Sequence, residues 1–149
     1  MTEESAKGAI DEDVVHKVGG HIDWNESYYF NMYDREKDIC VFMRMGLKPN
    51  RWEKNMYCYL LMPDGSSMGV KETVPYDGQE LKAAGLKYKK GIAGKDWSLD
   101  YAGQMRKTVG NVVEKKNVAL ALRFEGINHV YDYALSRSEE RQTFSLIAA

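Results

Sequence analysis

The chain has 149 residues, a hydrophobic share of 44%, a charged share of 29% and a formal net charge of −1. A chain of this size forms one ordinary domain that buries roughly 70% of its unfolded surface without disulfide staples. Its balance excludes a disordered chain and a polyanion binder, so no nucleic-acid partner is expected.

No run approaches the ~18 consecutive apolar residues of a membrane span, and the polar start MTEESAKGAIDEDVV is unlike a secretory signal. A cytoplasmic location is the expectation. Residues 1–20 are rich in ionisable side chains and end in Gly19-Gly20, which predicts a flexible leader followed by a single domain over 21–149.

The stretch 24–52 comes next and is the most informative. Two aromatic and methionine-rich runs flank the polar turn 34–38, and strand side chains alternate between faces, so an antiparallel hairpin is predicted. Tyr28, Phe30 and Met32 fall on one face, with Tyr29 and Tyr33 opposite; Val41, Met43, Met45 and Leu47 fall on one face, with Phe42 opposite. The run 56–62 is apolar on both faces and gives no side. Turn signals recur at Pro49-Asn50, Pro63-Asp64-Gly65, Asp77-Gly78, Gly110-Asn111 and 126–128.

The best helical window, 79–84, offers one or two turns before Gly85. Alternation then returns in Trp97, Leu99 and Tyr101, in Val118, Leu120, Leu122 and Phe124, and in Tyr131, Tyr133 and Leu135, with 143–147 as one more strand. The fold class is mostly β. An antiparallel meander of about eight or nine strands predicts a closed or nearly closed barrel, which removes exposed edges, with a two-sheet β-sandwich as rival.

Cys40 and Cys58 lie in apolar runs and read as reduced, buried small hydrophobes. The outward Tyr29, Tyr33 and Phe42 leave more apolar outer surface than a lone barrel carries. That excess predicts a contact with a second barrel domain or another copy of the chain, as a homodimer.

Glu26 sits beside aromatic residues, where an apolar setting would suit a carboxyl for general acid work; a strand-edge carboxylate is the plainer reading. Arg44, in mid-strand among Phe42, Met43 and Met45, would need a carboxylate from Glu26, Glu72 or Asp132, or would face a cavity and orient the polar end of a ligand. Arg123 reads as solvated. His16, His21, Asp23 and Glu26 lack the fixed spacing of a metal site, so no metal and no cofactor are expected. His129 beside Asp132 is a base candidate without a nucleophile, and KGIAGK does not lead from a strand into a helix as a phosphate loop would. Trp24, Tyr28, Tyr57, Tyr59, Trp97, Tyr101 and Tyr133, with eight methionines, suit either a packed core or an adaptable cavity wall.

The run WNESYYFNMYDREKDICVFMRMGLKPNRWEKNMYCYLLMPDG resembles the opening of the lipocalin-like family that includes bacterial carotenoid 1,2-hydratases (hydroxyneurosporene synthases) and AttH-type proteins. Weaker similarity continues through Gly85-Leu86-Lys87-Tyr88, Trp97-Ser98-Leu99-Asp100-Tyr101 and Val130-Tyr131-Asp132-Tyr133. The resemblance implies a lipocalin-like (calycin) barrel corresponding to the first of the two barrels those proteins pair. Their histidine- and tryptophan-rich segment lies in the second, so hydratase chemistry is not expected of this chain alone.

The leading expectation is binding of a small hydrophobic molecule of isoprenoid, steroid or fatty acyl type. Trp24, Tyr28, Tyr59, Trp97, Tyr101 and Tyr133 would form the walls, and Arg44 would meet the polar end. The alternatives are a hydratase or isomerase acting on an unactivated double bond, with Glu26, Asp132 or His129 in acid–base roles, and a homodimeric assembly module with a filled barrel.

Overall fold

The computed structural model describes residues 15–92 and 95–127. They form β1 (Glu26–Asp34), β2 (Ile39–Lys48), β3 (Glu53–Leu61), β4 (Ser67–Pro75), β5 (Lys82–Ala83), β6 (Leu86–Lys90), β7 (Asp96–Val109) and β8 (Val112–Glu125), with a single 3-10 turn at Pro49–Arg51. The readings that fall at 1–14 and 128–149, including His129, Asp132, Tyr133 and the strands expected at 131–135 and 143–147, lie outside the described residues.

The turns follow from residues that tolerate or enforce reversal. Asp34 Oδ1 accepts from the backbone N–H of Glu36 and Lys37 at 3.0 and 3.1 Å, an Asx turn that reverses the chain between β1 and β2. Between β7 and β8 the two-residue loop has Gly110 at φ 54° in its first position, which suits the right-handed twist of paired strands. Residues 15–20 carry no strand. They lie against β1 and the 3-10 turn, where the Asn50 side-chain amide donates to the carbonyls of Gly19 and His21 at 2.8 and 2.7 Å.

All strands pair antiparallel in one sheet of order β1-β2-β3-β4-β7-β6-β5, with β8 on the other edge of β7. This mostly-β meander has calycin-like order, but its sheet curls into an open half-barrel. The expected closed barrel is therefore corrected, and so is the sandwich, since there is one sheet and not two. The cause lies at β7. β4 pairs with only Arg106, Lys107 and Thr108 of that strand, because the β5–β6 hairpin occupies the same edge from Trp97 to Tyr101. Among the described residues no ladder joins β1 to β8, and side chains span that seam instead.

The expected helical turn at 79–84 is also corrected: Lys82 and Ala83 form β5, and the chain reverses through Ala84 and Gly85 at φ 43° and 86°. Inward residues of both halves share one core. Tyr28, Val41, Met43, Met45, Met56, Cys58, Leu60, Leu86, Tyr88, Trp97, Leu99, Tyr101 and Met105 are buried in it. The run 56–62 thereby acquires its faces, with Met56, Cys58 and Leu60 inside and Tyr57, Tyr59 and Leu61 outside.

Candidate functional site

The period of two places the expected site residues on opposite sides of the sheet. Tyr28, Trp97 and Tyr101 point inward and are buried, with the Tyr28 and Trp97 rings 5.6 Å apart. Arg44 and Tyr59 stand on the outer face, so the structure does not bring them together with the inner three. Trp24 is half-buried at the entry to β1 and covers Gly19. Among the described residues no carboxylate pairs with Arg44, Asp132 lying outside them; its Nη1 donates to Asn55 Oδ1 at 2.8 Å. Glu26 shares the inner face of β1 with Tyr28 at the end of the strand, opposite Leu47, and accepts there from the His16 backbone N–H at 3.0 Å, with His16 Nδ1 at 2.9 Å. Arg123 is 70% exposed, 3.8 Å from Asp96, as its solvated reading required.

His21 Nδ1 accepts from the Asp23 backbone N–H at 3.1 Å. Among the described residues no group of three histidine, cysteine or acidic side chains converges as metal ligands. Cys40 and Cys58 are both free and face opposite sides of the sheet, and burial pushes the Cys58 thiol up to about 12, which leaves it without thiolate character at neutral pH. The Tyr88 hydroxyl is buried with no hydrogen-bond partner among the described residues, and burial raises its phenol above the usual value.

Among the described residues one opening between the strands lies at the seam, and a wider, shallower one lies on β7–β8 at Gly103, Gln104 and 117–119. A cavity of about 40 Å³ lies between β1–β2 and β7–β8, lined by Phe30, Met32, Val41, Met43, Leu99, Leu122 and Phe124, with Asn31 and Arg123 beside it. Phe30 anchors this slot. Its ring centroid stands 5.1 Å from Tyr88, 5.5 Å from Trp97 and 5.5 Å from Phe124, and the last of these contacts spans the seam from β1 to β8. Asn31 and Arg123 are exposed, so the slot runs from an apolar floor to a polar rim holding one cation. Sequence reasoning placed all the apolar residues on inward faces yet missed the site, because no local pattern shows that β1 and β8 face each other unpaired.

Lys54 is a second functional candidate missed from sequence. It shares the inner face with Met56, Cys58 and Leu60 and is 0% exposed. Its ammonium donates to the Glu80 carbonyl at 2.7 Å, pairs with Asp77 and lies 5.7 Å from the Tyr76 ring centroid. One buried cation thus ties the 76–80 segment across the end of the half-barrel.

Among the described residues no helix is long and apolar enough to cross a membrane. A family model described as a domain of unknown function (DUF7064) matches residues 10–145. No curated protein and no solved structure matches the chain.

Proposed function

We propose that this chain, which belongs to the DUF7064 family, binds a linear apolar molecule of fatty acyl type in the seam between β1 and β8. The observation that carries this reading is the slot itself: seven apolar side chains floor a gap between two strand edges, and Arg123 stands at its rim to meet a carboxylate. The resting space of about 40 Å³ is far below the roughly 300–1,000 Å³ of ordinary ligand pockets, so binding parts the seam. Parting it breaks side-chain contacts and no strand ladder, because none joins these edges among the described residues. A chain that buries about eight methylenes gains about 6 kcal/mol at ~0.8 kcal/mol each, before the cost of ordering. A rigid ring system would demand a wider opening from the start, so the linear ligand is favoured over a steroid.

The test is displacement of a fluorescent fatty acid by lauric acid and by dodecanol. Leu122→Trp fills the slot and is expected to weaken both at least tenfold, whereas Arg123→Gln weakens only the acid. Failure of the probe to bind, or binding indifferent to Leu122→Trp, would sink the proposal.

A further inference from the structure

The strand registers assemble rows across the outer face of β1–β4. Tyr29, Arg44, Tyr57 and Lys71 form one row, and Asn31, Phe42, Tyr59 and Gly69 form the next. Tyr29 is 49% exposed and Tyr59 39%, and the Tyr59 ring lies flat over Gly69, where a Cβ would collide with it. The Tyr57 and Tyr59 centroids are 5.4 Å apart. Arg44 stands between Tyr29 and Tyr57, oriented by its bond to Asn55.

The charges of this face do not cancel. Lys48 pairs with Glu53 at 3.4 Å, but Arg44 and Lys71 have no acidic neighbour on the face among the described residues, so it is locally cationic in a chain of net charge −1. Rigid tyrosines around an arginine, with Asn31, Asn55 and Ser27 beside them, have the composition of protein-recognition surfaces, where Tyr and Arg supply the anchors.

Charge decides the occupant. A two-fold axis through the centre of the face would bring Arg44 of one copy against Arg44 of the other, and like charges across an interface disfavour pairing. A single-stranded nucleic acid needs a track of cations along its backbone, and two do not make one. We propose that this face docks an acidic surface of a different protein, with Arg44 and Lys71 meeting its carboxylates and Tyr29, Tyr57 and Tyr59 packing on the apolar residues between them. The seam slot and this face have only Asn31 in common, and neither Arg44 nor Lys71 lines the slot, so this proposal stands independently of the ligand.

The test titrates the full chain with a synthetic peptide repeating Asp-Tyr-Glu-Leu, with its Asn/Gln counterpart and with single-stranded oligothymidine, at about 30 and about 300 mM salt. Amide NMR shifts report the site, and sedimentation reports self-association. Support is binding of the acidic peptide that maps to 29, 44, 57, 59 and 71, weakens with salt, falls at least tenfold in Arg44→Gln and is unchanged in Lys115→Gln on β8. The proposal is overturned by no binding, by binding indifferent to Arg44→Gln, by tighter binding of oligothymidine, or by a dimer of the free chain that Tyr59→Ser abolishes.

Discussion

Lys54 is the residue whose environment departs furthest from what its type leads one to expect. Its stem occupies an inner position of β3 while its ammonium reaches the 76–80 segment, and the hydrogen bond and charge of that ammonium hold the Asp77 carboxyl below the usual 3.8. Asp64 is also lowered, first through the hydroxyl and then through the backbone N–H of Ser66. A carboxyl whose folded value lies below its unfolded one contributes stability that is complete above the unfolded value and is lost as pH falls through the folded one. Melting temperature followed by circular dichroism is therefore expected to stay level above about pH 5 and to fall below about pH 4. The two partners should also differ. Lys54→Met removes a buried ammonium and leaves Asp77 in water, so it should change stability by no more than about 1 kcal/mol. Asp77→Ala strands the ammonium inside and should lower the melting temperature further. Period two alone puts Lys54 in phase with Met56, Cys58 and Leu60. The sequence reading began this strand at Met56, since a charge ordinarily marks the end of an inward run.

At the scale of elements, the β5–β6 hairpin shows where local patterns mislead. Both residues of its two-residue turn, Ala84 and Gly85, have positive φ, the geometry for which Asn-Gly is the usual sequence. Alanine in the first position hides the turn and, with the leucine and lysine before it, imitates a short helix. The mismatch predicts two opposite outcomes. Ala84→Asn should stabilise by about 0.5–1 kcal/mol by relieving left-handed strain. Gly85→Ala should destabilise by about 2–3 kcal/mol, because its Cβ would press on the Ala102 carbonyl oxygen while the backbone keeps φ 86°. Chemical denaturation of the two variants measures both. β1, β2, β7 and β8 were legible because aromatic, methionine and branched residues alternate cleanly along them. β4 was not, since the exposed Glu72 interrupts its inward series of Met68, Val70 and Val74.

At the scale of the whole molecule, closure depends on which distant strands meet, and neither β4's departure from β7 nor the gap between β1 and β8 is written in any local run. The candidate seam was out of reach for the same reason, although each apolar residue lining it was placed on an inward face. Outward Tyr29, Tyr33 and Phe42 were legible as excess apolar surface, but the sides on which Arg44 and Tyr59 stand became clear only from the register.

The narrow joint between β4 and β7 also orders the assembly of the chain. Ser67, Met68 and Gly69 meet Thr108, Lys107 and Arg106 there, and every other ladder links strands that follow each other along the chain. Short loops close at little entropic expense, so the meanders 26–75 and 82–125 should form early and dock late, about a spine three rungs wide. A chain nicked between Gly78 and Gln79 is accordingly expected to keep two pieces that recombine into a folded whole, at a rate that rises with their concentration. Stopped-flow tryptophan fluorescence of the mixed fragments would register this, and a rate independent of concentration would refute it.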